Sequence, residues 1–226
     1  QDAMAHHIDE DSALFVVADG LGGHQGGEII SRAFCDSLLK TAPEYKVAML
    51  KEGKATMLQW FNHAIKLMGE QLTDGSQKAH TTCAILWIDS QQLITVHIGD
   101  SRIYRFNNNK KCWRTRDHSV PQMLLDEGEI SEQELRTHPD QNRLTRSINR
   151  KNSHQPTIKT YPGLEKGDTF MLCTDGFWAQ SEEQELVVLS QPKTTEQKLI
   201  NQAEKALKRA NGKSDNISWQ WVSNPL

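Results

Sequence analysis

The sequence predicts an α+β fold in which antiparallel β-sheets are covered by helices, and three features carry that reading. Strands and helices come in blocks rather than in βαβ alternation, which argues against a doubly wound parallel sheet. One long block, "TTCAILWIDSQQLITVHIGDSRIYRFNNNKKCWRTR", reads as successive strands joined by short polar turns, the pattern of an antiparallel meander. No internal repeat, low-complexity run or Pro/Gly/Ser-rich linker divides the 226 residues, so one domain spanning 1–226 is expected.

The elements follow in order. "LFVVAD" is an apolar strand that stops at Asp19, and glycines crowd the loop behind it. Residues 28–40 place Ile29, Ile30, Ala33, Phe34, Ser37 and Leu38 at helical spacing, and 55–72 do the same with Met57, Phe61, Ile65, Met68 and Leu72. The strand block comes next. Residues 117–153 are polar and irregular, with short helical pieces at "VPQMLLDEG" and "SEQELRT", a length that suggests a functional flap. Strands resume at "QPTIKTY" and "DTFMLCTD", helices are expected near 182–190 and 195–210, and "NISWQWV" closes on a strand.

Composition narrows the function classes. The net charge is −3 and no run of like charges occurs, so no nucleic-acid partner is expected. No apolar stretch approaches the roughly 18–20 residues of a membrane span, and no signal-peptide pattern is visible. Cys35, Cys83, Cys112 and Cys173 are scattered without C-x-x-C pairing, and three sit in apolar runs. Small buried thiols in a reducing cytoplasm fit best. The chain opens on Gln1 rather than Met, so its start is expected to be trimmed.

Three apolar runs end in an aspartate: at Asp19, at Asp100 and at Asp175. Asp215 stands just before the last strand and Asp2 at the start. Each alone is an ordinary turn or strand-closing residue. Together, at one sheet edge, they would repel one another and be costly to desolvate unless hard divalent cations such as Mg²⁺ or Mn²⁺ neutralised them. Gly20 could then offer its carbonyl to a cation, and Gly22 and Gly23 could let backbone pass close by. Rival motifs fail: a dinucleotide fingerprint needs glycine where Gln25 stands, and a phosphate loop ending in "GKS" needs glycine where Leu207 stands. The histidines, His6, His7, His24, His97, His118 and His138 among them, form no H-E-x-x-H pattern, and no G-x-S-x-G elbow occurs.

Eight segments in order resemble the metal-dependent Ser/Thr protein phosphatases of type 2C (the PPM family) in their compact bacterial form. They are "QDA", "VVADGLGGHQGGEIIS", "HTTCAILWI", "HIGDSRIYRF", "RDHS", "LTRSI", "GDTFMLCTDGFW" and "KSDNISW". The resemblance implies a four-layer αββα sandwich with two to three Mn²⁺ or Mg²⁺ ions at one end. It implies that Asp19 bridges two metals, that the Gly20 carbonyl completes one, and that Asp175 and Asp215 hold the other. Asp2 would reach the cluster through water, Asp100 would share a third metal with Asp175, and Asn216 would orient Asp215. The activity implied is hydrolysis of phosphoserine and phosphothreonine by a metal-bridging water, with Asp19 and Asp175 catalytic through it, opposing a bacterial Ser/Thr kinase.

Two departures stand out. The family's phosphate-gripping arginine would lie upstream of Gln1, and the position of its proposed general acid is Leu21, with His24 as a substitute. The partners implied are phosphorylated proteins, the kinase and its substrates, acted on by a cytoplasmic monomer. A catalytically dead binding module is the rival from another class, and a regulator phosphatase acting on small phosphoserine antagonists is a third reading.

Overall fold

The structure, a computed structural model, describes residues 1–226 except 23–24, 73–77, 108–109, 151–154, 192–193, 213–214 and 224–226. The chain runs β1 (Ala3–Ile8), β2 (Ser12–Ala18), β3 (Gly20–Leu21), α1 (Gln25–Glu52), α2 (Lys54–Gln71), β4 (His80–Thr81), β5 (Cys83–Asp89), β6 (Gln92–Ile98), β7 (Arg102–Asn107) and β8 (Lys110–Arg114). It continues through α3 (Val120–Glu127), α4 (Glu132–Leu135), β9 (Ile148–Asn149), β10 (Thr157–Pro162), β11 (Thr169–Cys173), α5 (Asp175–Trp178), α6 (Glu183–Leu189), α7 (Glu196–Ala210) and β12 (Trp219–Ser223).

Two antiparallel sheets stack face to face, ordered β1-β2-β5-β6-β10 and β12-β11-β7-β8, and a small sheet β3-β4-β9 sits at one side. The period-2 geometry of strands sorts their side chains into three cores. Along β5, Ala84, Leu86 and Ile88 point between the sheets, while Cys83, Ile85 and Trp87 point outward to α1 and α2. Along β11, Phe170 and Leu172 join the middle core, while Met171 and Cys173 meet Phe177, Leu186 and Ala206 of α5, α6 and α7. Four layers result, αββα. The central strands are buried on both faces, which is why they read as continuous apolar runs.

Two sequence expectations are corrected. The strand block is not one meander: β5 pairs with β6 and β7 with β8, but β6 and β7 lie in different sheets. The Gly99-Asp100-Ser101 corner carries the chain across, and a period-2 pattern says which face a residue takes without saying which strand lies beside it. Helix α1 is 28 residues long, well beyond 28–40, and runs through Pro43. A proline inside a helix loses one backbone bond and costs about 3 kcal/mol. Packing of Ala42, Tyr45 and Met49 in the α1–α2 core offsets that cost.

Trp60 anchors this core. Its buried indole donates to the Leu38 carbonyl (3.2 Å) and Thr41 Oγ1 (2.9 Å), stacks on Tyr45, and meets Trp87 edge-on. Trp60→Ala is expected to destabilise the fold by about 3–5 kcal/mol, read from the shift in urea midpoint, with Trp60→Phe costing clearly less. Equal losses would mean that ring packing is not what α2 contributes.

Candidate metal centre

Strand register brings the acidic residues to one edge. Ala3 pairs with Ala18, so Asp2 and Asp19 are the next residues out along β1 and β2. In the other sheet Cys173 pairs with both Arg102 and Trp219, which sets Asp175 and the approach to β12 beside the Gly99–Ser101 corner. Asp19, Asp175 and Asp215 each offer an oxygen, and these oxygens lie within 4.8 Å of one another. Asp19 and Asp175 are buried and Asp215 is exposed. Asp2 lies against Asp19 without joining the trio, and Asp100 stands close enough to raise the proton affinity of Asp19. Gly20 is buried next to Asp19, its carbonyl packed against the backbone of Gly27.

Electrostatics follow from this crowding. Burial, then the charges of Asp175, Asp2, Asp100 and Asp215, pushes the Asp19 carboxyl far above the usual carboxylate range. Burial, then Asp215 and Asp2, does the same to Asp175. Burial raises Asp100, with Asp175 and Asp117 adding to the shift. Asp2 is raised by burial despite hydrogen bonds that favour its ionised form. Asp2 Oδ1 and Asp175 Oδ1 are buried with no hydrogen-bond partner among the described residues. Buried carboxylate oxygens without partners are costly, and an all-oxygen donor set of this kind suits Mg²⁺ or Mn²⁺. The residues present fit such ions.

Backbone contacts hold the acids. The Asp19 N–H donates to Thr82 Oγ1 (3.0 Å), and its carbonyl accepts from Thr81 Oγ1 (2.9 Å) and the Thr82 N–H (2.8 Å). Thr82 Oγ1 and Ser101 Oγ lie 2.6 Å apart, tying the Asp19 strand to the Asp100 corner. Thr174 Oγ1 donates to Asp2 Oδ2 (2.8 Å), and the Asn216 N–H donates to Asp215 Oδ1 (2.7 Å). Three glycines permit two close backbone crossings. A Cβ at Gly20 would stand 1.9 Å from the Gly27 carbonyl oxygen, and one at Gly176 would stand 2.2 Å from that of Asn216. The crossings fall at Gly20, Gly27 and Gly176; Gly22 sits beside Ala79, and Gly23 and His24 lie outside the described residues.

Sequence reasoning missed the supporting threonines Thr81, Thr82 and Thr174 and the buried pair Arg102–Asp117. A signal existed: two adjacent threonines lead an apolar strand, and arginine follows directly on "GDS". A cavity of about 380 Å³ opens beside two members of the trio, lined by Asp175, Gly176 and Asp215 together with Gln141, Asn142, Ala179 and Gln180. Arg136, on the same flap, donates to the Ala179 carbonyl (3.3 Å) and fastens the flap to the end of α5.

Comparison with known proteins gives one consistent result. A family model described as protein phosphatase 2C matches residues 1–211. Protein phosphatase PhpP of Streptococcus pneumoniae is 31% identical over 182 residues, covering 78% of this chain and 72% of the relative. The solved structure of the serine/threonine phosphatase PstP/Ppp of Mycobacterium tuberculosis superposes with a TM-score of 0.79 at 23% identity, covering 99% of this chain and 98% of that one. The catalytic domain of PstP in complex with two manganese ions superposes with a TM-score of 0.77 at 22% identity, covering 99% of this chain and 90% of that one. These two structural likenesses are of fold.

The raised carboxyls have a consequence for stability. A group whose pKa is higher folded than unfolded contributes stability that is complete below its ordinary value, here 3.8, and lost as pH climbs through the raised value. Chelator-treated protein is therefore expected to lose stability between about pH 5.5 and about pH 8, and added Mn²⁺ to raise Tm more at the higher pH, where Asp175, raised to about 6, is already ionised. Scanning calorimetry at both pH values checks this. A Tm rise equal at both, or larger at the lower, would contradict it.

Proposed function

Because the chain belongs to the protein phosphatase 2C family, we infer that it is a Mn²⁺/Mg²⁺-dependent protein serine/threonine phosphatase that hydrolyses phosphoserine and phosphothreonine. The observation that carries this reading is the acidic trio Asp19, Asp175 and Asp215, two of whose members, Asp175 and Asp215, line a cavity large enough for a phosphorylated side chain. We assign Asp19 as a ligand that two ions would share, with the Gly20 carbonyl beside it, and Asp175 and Asp215 as residues that would hold the second ion. Asp2 would reach the cluster through water, and Asp100 would hold a third ion together with Asp175.

When bound, two to three such ions supply a water that ionises near neutral pH and positive charge for the phosphoryl oxygens. The chain's own residues do the rest. Among the described residues lining the cavity there is no lysine or arginine, while Asp175 and Asp215 present negative charge. Without cations this surface repels a phosphate, so substrate binding as well as chemistry depends on them. The side-chain amides of Gln141 and Asn142, which line the same cavity, offer neutral donors and acceptors to the peptide around the phosphorylated residue. Turn hydrogen bonds fix the segment that carries them, the Gln141 N–H donating to the His138 carbonyl (3.0 Å) and the Leu144 N–H to that of Asn142 (3.1 Å).

The partners are phosphorylated proteins. Opposition to a Ser/Thr kinase, action as a cytoplasmic monomer, and one catalytic unit over 1–226 belong to the same proposal. Free thiols at Cys35, Cys83, Cys112 and Cys173 support a reducing compartment.

Phosphate release from a phosphothreonine peptide tests the reading. Activity is expected to need Mn²⁺ or Mg²⁺, to vanish with chelator and return with metal, and to fall by at least about 100-fold in Asp19→Ala. Full activity after chelation would refute it. Peptide binding with no phosphate released would favour the binding module instead.

A further inference from the structure

The one-turn helix α5 begins with Asp175 and ends with Trp178, and the two ends meet the same neighbour. Asp175 acts electrostatically on Asp100. The Trp178 Nε1–H donates to the Asp100 backbone carbonyl at 2.9 Å, a buried bond across 78 residues of sequence. The indole is 1% exposed, and the Arg102 guanidinium lies 3.3 Å from its ring centroid. Arg102 is fixed in turn: Nε and Nη2 donate to the two oxygens of Asp117 (2.8 and 2.6 Å), and Nη1 donates to the Tyr104 hydroxyl (2.9 Å). This places the Arg102 face of the stack beyond reach of solvent, where a cation over an indole is worth most.

The corner held this way has other ties. The His118 N–H donates to the Gly99 carbonyl (2.8 Å), the Gly99 N–H donates to His118 Nδ1 (3.3 Å), and Ser101 Oγ meets Thr82 Oγ1. Those bonds locate Gly99 and Ser101. Only the indole, among the described hydrogen bonds, joins the peptide of Asp100 itself to the helix that carries Asp175. Asp100 and Asp175 repel each other, so the corner needs a tether that acts at this point.

We propose that Trp178 is a positioning residue of the metal centre: braced by Arg102 and Asp117, it holds the Asp100 corner at a fixed distance from Asp175 and so sets the affinity of the cation that those two carboxylates share. This rests on the phosphatase reading, and the test separates the two. In Trp178→Phe a ring still covers Arg102 but the N–H is lost. Groups that orient metal ligands typically contribute 10- to 100-fold to affinity, so one Mn²⁺ site, the one that loss of the Asp100 carboxylate also weakens, is expected to lose about tenfold, with the other sites retained.

Electron paramagnetic resonance titration of free Mn²⁺ counts ions and gives the dissociation constants without reference to activity. Asp100→Asn, which keeps the backbone carbonyl, is expected to weaken the same site, and the double variant to lose little more than either single one. In phosphopeptide assays the Mn²⁺ concentration for half-maximal rate should rise by a larger factor than kcat falls. Should Trp178→Phe not fold, Arg102→Lys, which loosens the indole from its other face, is titrated in its place with the same expectation. Parent-like Mn²⁺ isotherms in the variant overturn the proposal and leave the phosphatase reading standing. A parent protein that binds no Mn²⁺ overturns both.

Discussion

Like charges packed at one edge of a sandwich are the constraint around which the structure is arranged. Asp2, Asp19, Asp100 and Asp175 are each pushed toward protonation by burial, Asp19 further by the charge of Asp175, and Asp175 further by the charges of Asp215 and Asp2. In a flexible chain these groups would separate until water screened them. Here strand register fixes where Asp2 and Asp19 emerge, and a helix start fixes Asp175. The scaffold thus maintains a concentration of negative charge that only bound cations relieve, which makes cation binding a contribution to folding as well as to chemistry.

The two sheets share this task unequally. The five-stranded sheet supplies Asp2 and Asp19 and locks the second through Thr81 and Thr82, both on or beside β4 and β5. The four-stranded sheet supplies Asp175 at the end of β11 and Asp215 ahead of β12. Asp100 belongs to the connection between them. The hydrogen bond from Thr174 to Asp2 and the one between the Thr82 and Ser101 hydroxyls sew the halves together across the edge. Gln141 and Asn142 line the same cavity as Asp175 and Asp215, and Arg136, a few residues ahead of them, is fastened to the end of the short helix that starts at Asp175.

Much of this was legible in the sequence where burial leaves a local pattern. Strands β2, β5 and β11 were visible because apolar runs of the right length stopped at polar residues, and α2 because its apolar residues recur at helical spacing. The acidic ends of "LFVVAD" and "TFMLCTD" gave Asp19 and Asp175. What stayed hidden depends on contacts between distant residues. The switch of sheets at Gly99–Ser101 leaves no periodic trace, since β6 and β7 are buried along nearly their whole length on both faces. The length of α1 was hidden because Pro43 is a local stop signal that tertiary packing overrides. The tie made by Trp178 leaves no local trace, because the carbonyl that its N–H serves is 78 residues away.

The acidic edge also draws on positions near both extremes of the chain, Asp2 ahead of the first strand and Asp215 ahead of the last. Contacts that span such a separation form late, after the intervening loops have closed. A nascent chain still on the ribosome has the floor of the centre but lacks one wall until β12 has emerged and paired with β11. Asp215 is therefore the last member of the trio to arrive, and the oxygen cluster is complete only after that pairing.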